Sequence, residues 1–586
     1  MAWWFEKDQE RLKFELQALA DSGFLYSVTD DGKESGVYRL LIDYRDWEDD
    51  RDPGHLYCLT AIFPPNYPAF PFEILAPEFP PGIHINPSNG LCLLQDAGNS
   101  WDGSRDYLAA FLLCQVKNIL RAHRGDKTVL EAQEGLRQSG YVPYCPGSAM
   151  LVGDWEVPPG VDHGHFRWRR FPGDPPNRII RGAVTHLQTA DHDLIGQLAI
   201  GNFWTNWLQN TAELSGRWVR LPEIPKGADP LAEARAAWPD IANIVSFPDL
   251  VGLLIPEEKD KGGALIDNWV FVLRVNVGPI VQAGQRIMST FFVRAEQFSK
   301  DTRWSRAPRA IPINVKKVLM VGLGAIGGPL AWQLARAGIG DLRCVDYDSV
   351  QIGNLPRWLY GMATIGDSKA SSVAANLQLN YPPLRAEAIE YCIGSINSHP
   401  DIVGRFMAAL NEVDIIVDAS AELSVNRYLE GLAREKRVPY VWAYGSNGGW
   451  GGVVGRIVPG HTSGCYECFR YWMFDAVNAL KEGRPSPEGA IKPPPTEDLP
   501  EVQPVGCFHP TFRGTGFDMD QVSQMAARLV VATLCLDAPS ESDSYPNFPW
   551  DVAVLSQWDP ETGLPTVPDW ITYSLRRHPK CQHHDE

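Results

Sequence analysis

Three glycines in the run GLGAIG, Gly322, Gly324 and Gly327, form a G-x-G-x-x-G pattern. The apolar run KVLMV precedes the pattern and a helix-forming run follows it, which is typical of a strand–turn–helix unit. In such a unit the glycines let the backbone approach a phosphate group at the helix N-terminus. Asp346 follows Gly324 by 22 residues, where the next predicted strand ends and a carboxylate can bind ribose hydroxyls. The pattern predicts a nucleotide site for either ATP or a dinucleotide such as NAD.

Two short motifs that lie far apart in the sequence have the spacing of zinc ligands. Cys465 and Cys468 form C-x-x-C in the run SGCYECF, and Cys581 and His584 form C-x-x-H in HPKCQHHDE. Two such pairs suit a closed, tetrahedral Zn²⁺ site with three cysteines and one histidine. We expect this zinc to be structural and to tie the C-terminus to the nucleotide domain, with His583 as the alternative to His584. The competing interpretation is an unstructured tail.

Two further cysteines follow turn-rich segments and are candidates for covalent chemistry. Cys507 comes after a proline-rich loop in QPVGCFHPTFRG, with His509 nearby, and Cys92 comes after a polar turn in GIHINPSNGLCLL. A thiolate is a strong nucleophile, and a thioester keeps an acyl group activated for transfer. Either cysteine could instead be a structural thiol, which packs as a small apolar side chain.

The bulk composition limits the class of protein. The 586 residues carry a net charge of −18, which argues against nucleic acid as the main partner because phosphate binding needs a basic surface. A window of about 18 unbroken apolar residues, which a transmembrane helix would need, is missing from the sequence. The N-terminal run has the pattern of an amphipathic helix and not of a signal peptide. The eleven cysteines are scattered, so we expect a cytoplasmic protein with reduced thiols and no membrane partner.

The elements that must position these residues fall into three predicted regions. Residues 1–145 contain a helix, strand-like runs such as GVYRLLIDY and the closing helical run YLAAFLLCQVKNILRAH, which together predict an α+β domain. Residues 146–310 mix strand-like runs with loops and predict a middle α+β linker domain. Residues 311–586 alternate strands and helices and predict a Rossmann-like α/β domain. The predicted fold class is therefore mixed α/β.

The C-terminal region resembles the adenylating domains of the ubiquitin-activating E1 family and of its bacterial sulfur-carrier (ThiF) relatives. The resemblance rests on an ordered series of polar residues: Asp346, Asp348, Asn354, Arg357, Lys369, Asp418 and Arg427. It implies that ATP activates a C-terminal carboxylate as an acyl-adenylate, and it favours ATP over NAD. In that family, Arg357 and Lys369 would neutralise phosphate charge, Asn354 would orient the phosphates and Asp418 would hold Mg²⁺.

The same resemblance assigns roles to the cysteines of this region. Cys507 has the position of the E1 cysteine that attacks the acyl-adenylate and becomes a thioester. The bacterial relatives often carry C-x-x-C at both zinc motifs, so His584 departs from the commoner pattern.

The N-terminal region resembles the core of the ubiquitin-conjugating E2 enzymes. The run FPPNYPAFPFEILAPEF and the following GIHINPSNGLCLL match the family's proline-rich segment and its catalytic-cysteine motif, with His84, Asn86, Gly90 and Cys92 in the motif positions. Ile85 replaces the usual proline. The resemblance implies that Cys92 accepts the acyl group from Cys507 and that Asn86 stabilises the oxyanion when an amine attacks.

Together the two halves resemble the bacterial E2–E1 fusion proteins of CBASS anti-phage operons. That resemblance implies a donor protein with a C-terminal carboxylate, either a nucleotidyltransferase (CD-NTase) or a ubiquitin-like protein, a target protein amine and a homodimeric enzyme. Two other classes stay open. One is a sulfur-carrier adenylyltransferase whose N-terminal region only binds protein, and the other is an NAD-dependent oxidoreductase.

Overall fold

The computed structural model describes residues 3–48, 52–79, 85, 89–94, 100–124, 138–173, 180–225, 229–244, 247–258, 265–276, 288–497, 513–538, 544–559 and 561–583. The chain divides into two compact units, Met1–Leu198 with Thr211–Gln297, and Ala199–Asn210 with Phe298–Glu586. Among the helices in these described ranges, none is both long enough and apolar enough to cross a membrane. The division into regions 1–145, 146–310 and 311–586 remains a prediction.

The N-terminal part of the first unit is a four-stranded antiparallel sheet with helices before and after it in the sequence. In strand β2 alternate side chains are buried, so that Leu40 and Ile42 pack on one face with Leu19, Leu108 and Leu112. The strands, in sheet order, are β1 (Leu25–Thr29), β2 (Tyr38–Asp46), β3 (His55–Phe63) and β4 (Glu73–Leu75). The helices are α1 (Trp4–Lys7), α2 (Gln9–Asp21), α3 (Leu108–Phe111) and α4 (Lys117–His123), with a π-helical turn at Leu112–Val116.

The rest of the first unit is an eight-stranded sheet in the order β5-β12-β11-β10-β9-β6-β7-β8, and a pairing of β5 with β7 closes seven strands into a ring. The strands are β5 (Tyr144–Gly153), β6 (His163–Arg170), β7 (Arg181–Thr189), β8 (Leu194–Gln197), β9 (Glu213–Arg220), β10 (Asp249–Glu258), β11 (Leu265–Asn276) and β12 (Met288–Phe298). Helix α5 (Asn202–Leu208) falls in the second unit, and α6 (Ala232–Ala237) stays in the first. The described part of the middle region is therefore mainly β, with short helices such as Asn202–Leu208 and Ala232–Ala237.

The second unit is built on another eight-stranded sheet, in the order β15-β14-β13-β16-β17-β18-β19-β20. The first five strands of this order run parallel, and the last three pair antiparallel. The strands are β13 (Lys317–Val321), β14 (Asp341–Val345), β15 (Arg385–Ile389), β16 (Ile415–Asp418), β17 (Tyr440–Gly445), β18 (Gly451–Ile457), β19 (Val552–Asp559) and β20 (Leu564–Tyr573). The predicted Rossmann-like α/β fold of this region is confirmed.

Helices cover both faces of this sheet, and four of them link its parallel strands. They are α7 (Lys300–Trp304), α8 (Gly327–Ala337), α9 (Lys369–Asn380), α10 (Pro400–Leu410), α11 (Leu423–Lys436), α12 (Tyr466–Lys481) and α13 (Gly516–Leu534). One core packs α8, α9 and α13 against the sheet, and a second packs α10, α11 and α12. Short 3-10 turns complete the chain at Lys33–Ser35, Gln138–Tyr141, Pro239–Ala242, Pro308–Val315, Ile352–Asn354 and Met362–Thr364. Burial on both faces explains why these strands read as continuous apolar runs.

Candidate functional site

The centre of the parallel sheet contains a topological switch point, at which the strand order reverses. β13 pairs with β14 on one side and with β16 on the other, so the loops after these strands diverge at the same edge. A cavity of about 190 Å³ lies there, lined by residues from the ends of β13, β14, β15 and β16. Gly322, Gly324, Asp346, Asp348 and Lys369 are all among its lining residues. The fold therefore brings together five residues of the predicted nucleotide site.

The three glycines of the turn are required for different reasons. A Cβ on Gly322, which has a φ of +78°, would come within 2.6 Å of the Ser420 nitrogen, and a Cβ on Gly327 would come within 1.8 Å of the Gly322 oxygen. A Cβ on Gly324 would meet no described atom within 4 Å. The first and third glycines are therefore needed by the fold, whereas the second keeps open space beside the start of α8. Such space suits a phosphate group that approaches the backbone.

The carboxylate of Asp346 braces the glycine turn. One of its oxygens accepts a hydrogen bond from the Leu323 N–H at 2.7 Å, and the other accepts from the Asp348 N–H at 2.8 Å. Burial raises the pKa of this carboxyl above its usual value. The contacts explain why a carboxylate stands at the end of β14, since it satisfies two backbone donors in the loops on either side.

Lys369 is the first residue of α9, and Ser368 caps that helix by accepting from the Ser371 N–H. The Lys369 side chain is buried and pairs with the Asp348 carboxylate. The backbone N–H of Lys369 donates to the backbone carbonyl oxygen of Asp348 at 3.0 Å. The helix start thus places a positive charge on the cavity wall. An ammonium group there can interact with the phosphates of a nucleotide.

Four residues of the predicted series lie outside the cavity lining: Asn354, Arg357, Arg427 and Asp418. Asn354 ends a 3-10 turn, where its side-chain oxygen accepts from the Gln351 N–H at 2.9 Å. Arg357 is half-buried a few residues later, and burial lowers the pKa of its guanidinium. Arg427, on α11, pairs with Glu467 on α12. The phosphate roles of Asn354 and Arg357 therefore remain predictions.

Asp418 ends β16 but does not line the cavity. It is 0% exposed, and its carboxylate accepts from the Ser420 N–H at 2.9 Å, the Asn426 amide at 2.7 Å and the Tyr440 hydroxyl at 2.9 Å. These contacts argue against the predicted direct Mg²⁺ contact, because the oxygens are turned into the core. Glu422, in the loop that follows, lines the cavity instead.

Sequence reasoning missed several cavity residues with polar or ionisable side chains, among them Glu422, Tyr391 and Cys392. Tyr391 and Cys392 come directly after β15, and Glu422 lies four residues after Asp418. The rule that parallel strands end at one edge could have found them. Sequence reasoning also missed a buried chain of hydrogen bonds, in which Tyr466 donates to the Asn426 side-chain oxygen at 2.8 Å and the Asn426 amide donates to the Asp418 carboxylate.

The three predicted zinc-binding cysteines meet at one buried point. The Sγ atom of Cys465 lies 3.7 Å from that of Cys468 and 3.6 Å from that of Cys581. Tetrahedral zinc thiolates have Zn–S bonds of about 2.3 Å, which places their sulfurs about 3.8 Å apart. The spacing therefore fits three corners of a zinc tetrahedron. His584 lies outside the described residues, and His583 is exposed.

His578 supports this cysteine cluster without being positioned as a ligand. Its backbone N–H donates to the Cys468 sulfur at 3.3 Å, and its ring nitrogens contact the Asp475 carboxylate and the Lys580 N–H, each at 3.1 Å. Burial is the largest of the causes that raise the pKa of the Cys581 thiol. Buried sulfurs held this closely favour a bound cation, which stabilises them as thiolates.

Of the two candidate nucleophiles, Cys92 is among the described residues and Cys507 is not. Cys507 and His509, and the E2-motif residues His84 and Asn86, lie outside the described residues. Cys92 is half-buried and follows two isolated bridges: Leu75 with Gly90 joins its segment to the last strand of the N-terminal sheet, and Ile85 pairs with Leu91. Trp101 donates to the Pro68 oxygen at 2.7 Å and links the next segment to the proline-rich run.

Comparison with known proteins gives matches at two levels. The ThiF family model matches residues 311–534. Uncharacterized protein y4oA of Sinorhizobium fredii is 31% identical over 572 residues, which cover 89% of this chain and 89% of that protein. Ubiquitin-like modifier-activating enzyme 5 of Drosophila persimilis is 27% identical over 179 residues, 30% of this chain and 46% of that enzyme. The full-length similarity and the similarity to activating enzymes therefore come from different relatives.

The comparison with solved structures matches the chain to that of E. coli MccB with AMPCPP and MccA. It is 18% identical, covers 48% of this chain and 74% of that one, and has a TM-score of 0.33.

Proposed function

Because the chain belongs to the family of y4oA and carries a ThiF, E1-like adenylation domain at residues 311–534, we propose that it uses ATP to activate the C-terminal carboxylate of a donor protein. One observation carries this proposal: the cavity at the strand ends joins the open turn at Gly324 to the Asp346 carboxylate and the Lys369 ammonium. Those groups suit the phosphates and ribose of a nucleotide.

The chemistry assigns a step to each group. The donor carboxylate attacks the α-phosphorus of ATP, an acyl-adenylate forms and pyrophosphate leaves. Lys369 neutralises charge that develops on the phosphates, and the backbone N–H groups near Gly324 bind phosphate oxygens. Mg²⁺, when bound with ATP, supplies further charge neutralisation on the phosphates.

We propose that the activated acyl group then moves through two cysteines. The Cys507 thiolate attacks the acyl-adenylate and AMP leaves, and the Cys92 thiolate takes the acyl group by thioester exchange. A target amine finally attacks that thioester, with Asn86 donating a hydrogen bond to the oxyanion, and the Cys92 thiolate is released. The helix–meander–helix order around Cys92 supports an E2-like role for the N-terminal region. Covalent linkage raises the effective concentration of one thiol near the other.

The donor is proposed to be a CD-NTase or a ubiquitin-like protein in an anti-phage system, with the enzyme acting as a homodimer. The match to a ubiquitin-like modifier-activating enzyme supports a protein donor over a free small acid. We also propose that Cys465, Cys468 and Cys581 hold a structural Zn²⁺, with His584 as the fourth ligand. The sulfur spacing of 3.6 and 3.7 Å supports this zinc site.

The test has two parts. Exchange of labelled pyrophosphate into ATP in the presence of a candidate donor measures adenylation, and non-reducing gels measure thioesters in the wild type, Cys507→Ala and Cys92→Ala. Cys58→Ala, which removes an exposed thiol from the same domain as Cys92, is the matched control.

We expect exchange in all four proteins, and a reductant-sensitive adduct that only Cys507→Ala abolishes entirely. In Cys92→Ala the adduct should remain on Cys507 and fail to reach the target. Onward transfer that survives without Cys92 would instead favour the sulfur-carrier adenylyltransferase with a binding-only N-terminal region. Lack of ATP–pyrophosphate exchange with every donor tested would contradict the adenylation proposal.

A further inference from the structure

The turn between β17 and β18 lies at the same edge of the sheet as the nucleotide cavity. β17 runs parallel to β16, so the two strands end side by side, and the chain then passes through residues 446–450 into β18. Two segments of chain contact this turn: a first segment, residues 491–497, and a second segment, residues 513–516. Cys507 lies between the two segments in the sequence. The turn therefore contacts the chain both before and after the proposed nucleophile.

Asn447, in the middle of this turn, forms hydrogen bonds with both segments. Its backbone oxygen accepts from the Glu497 N–H at 3.0 Å, and its side-chain amide donates to the Glu497 carbonyl oxygen at 3.1 Å. Its side-chain oxygen accepts from the Arg513 N–H at 3.4 Å. The next residue, Gly448, donates its N–H to the Arg513 carbonyl oxygen at 2.9 Å. One side-chain amide thus uses its donor on the first segment and its acceptor on the second.

Other residues of the turn hold the first segment only. The Trp450 ring N–H donates to the Glu497 carboxylate at 2.9 Å, and the Ser446 hydroxyl donates to the Pro495 carbonyl oxygen. Trp450 also packs against Trp558 of β19, with ring centroids 4.9 Å apart, which fixes the indole on the sheet. Each of these two hydrogen bonds fixes one segment, whereas Asn447 fixes two.

The close approach of both segments requires glycines in the turn. Gly448 has a φ of +90°, and a Cβ there would come within 2.9 Å of the Glu497 Cβ. Gly449 has a φ of +81°, and a Cβ there would lie 3.3 Å from the Gly514 Cα. Glycine adopts such φ values without steric cost and leaves this space free. The glycines therefore let both segments reach Asn447.

The second segment leads directly into α13 and toward a predicted phosphate-binding residue. Gly516, the first residue of α13, donates its N–H to the Pro356 oxygen at 3.2 Å. A Cβ on Gly516 would lie 3.3 Å from the Cα of Arg357, which the resemblance to E1 enzymes assigns to the phosphates. The contacts of Asn447 thus connect the two segments to the side of the sheet at which we place the adenylate.

We propose that Asn447 is a positioning residue for the transfer of the acyl group from the adenylate to Cys507. This role rests on the ATP-dependent function proposed above. In the transfer step the Cys507 thiolate attacks the carbonyl carbon of the acyl-adenylate, a C–S bond forms, the C–O bond to the phosphate breaks and AMP leaves.

The physical basis is the effective concentration of the thiol at the adenylate. Fixing both ends of a chain segment restricts where a residue between those ends can lie, and this raises its effective concentration at a site within reach. Adenylation takes place at the cavity that Gly324 and Lys369 line, so it should proceed without the Asn447 contacts. Loss of the Asn447 side chain should therefore slow the second step and spare the first.

The test separates the two steps by supplying a second nucleophile. Hydroxylamine in solution attacks an acyl-adenylate and gives a hydroxamate without any protein thiol. Pyrophosphate exchange and hydroxamate formation then measure adenylation, and rapid-quench non-reducing gels measure the rate of thioester formation on Cys507. The donors are a purified CD-NTase and a purified ubiquitin-like protein.

All proteins in this test carry Cys92→Ala, so that the adduct stays on Cys507. The variants made in this parent are Asn447→Ala, Trp450→Phe and Asn411→Ala. Trp450→Phe removes one hydrogen bond to the first segment. Asn411→Ala is the matched control, because it replaces an exposed asparagine at the C-terminal end of α10.

In Asn447→Ala we expect thioester formation to slow by about 10–10²-fold, since misplacement of reacting groups by about 1 Å has effects of that size. Exchange and hydroxamate formation should stay at the level of the parent, which a general loss of structure would not allow. Trp450→Phe should slow the thioester step less, and Asn411→Ala should match the parent in every measurement.

Two results would overturn the role of Asn447 alone: a parental rate of thioester formation in Asn447→Ala, or an equal fall of exchange and thioester formation in that variant. Lack of exchange in the parent with both donors would instead overturn the proposed function.

Discussion

The nucleotide cavity and the cysteine cluster lie in the same α/β unit but are built in opposite ways. The cavity is open, is lined by charged side chains and backbone N–H groups, and keeps space at Gly324. The cluster is closed: Cys465, Cys468 and Cys581 are all at most 4% exposed, and their sulfurs face one another. An open charged site can lose a side chain without losing the fold, whereas a closed buried site cannot. We therefore expect substitutions at the cavity to reduce activity and substitutions at the cluster to reduce stability.

A buried chain of hydrogen bonds joins the two sites and is the exception to this contrast. Tyr466 lies between Cys465 and Cys468 in the sequence and donates to Asn426, which donates to Asp418 at the end of β16. Asp418 in turn holds the Ser420 N–H beside the cavity. Such buried polar networks specify one arrangement because each unpaired member is costly.

The largest expected effect is at the cluster. Cys468→Ser should release zinc and lower the free energy of unfolding by about 4 kcal/mol, the linkage expected when free metal exceeds its dissociation constant about a thousandfold. Zinc content by atomic absorption and urea denaturation measure the two quantities. Cys535→Ser, a buried thiol of the same unit outside the cluster, should retain the metal. Unchanged zinc content in Cys468→Ser would break the assignment of this site.

At the cavity, Lys369→Met should slow ATP–pyrophosphate exchange by about 10²–10³-fold, the usual cost of removing one group that stabilises developing charge. The urea midpoint should move little in comparison, because the paired Asp348 carboxylate is partly exposed and can be hydrated. Lys481→Met, at the exposed end of α12, is the control. A loss of stability as large as that of Cys468→Ser would remove the contrast between the two sites.

Tyr466→Phe tests whether the buried chain of hydrogen bonds couples the cysteine cluster to the nucleotide cavity. Removal of the hydroxyl leaves the Asn426 oxygen unpaired in the core, which should cost about 1–3 kcal/mol of stability. If the chain couples the sites, the KM for Mg·ATP should also rise while zinc content stays at the wild-type level. Tyr428→Phe, on the exposed side of α11, should change neither quantity. Lower stability with an unchanged KM would show that the two sites are energetically separate.

The smallest change in stability is expected at Gly324. Its φ lies outside the left-handed region, and a Cβ there meets open space, so Gly324→Ala should raise the free energy of unfolding by about 0.4–1 kcal/mol. The added methyl group should occupy the phosphate approach and weaken nucleotide binding. Gly327→Ala, whose Cβ would clash with the Gly322 oxygen, should instead destabilise the fold. Urea denaturation and calorimetry with AMPCPP measure both, and wild-type nucleotide affinity in Gly324→Ala would contradict the phosphate position.

Much of the nucleotide site was predictable because its residues occupy ends of regular elements. Gly322, Gly324 and Asp346 follow β13 and β14, and Lys369 begins α9, so periodicity and spacing were enough to group them. Cys465 and Cys468 were predictable as a pair because their spacing is local. Asn354 and Arg357 are not among the cavity-lining residues: Asn354 ends a 3-10 turn and Arg357 lies three residues later, in a segment whose direction local sequence does not specify.

The sequence by itself determined the class of the C-terminal fold, its glycine turn and the three cysteines of the cluster, since each depends on residue type and short spacing. Only the tertiary structure decided which carboxylate faces the cavity. Asp418 and Glu422 are four residues apart and chemically alike, and they differ because Asn426 and Tyr440, from α11 and β17, hold one of them in the core. The choice depends on donors supplied by separate elements, and those elements meet only when the sheet is assembled.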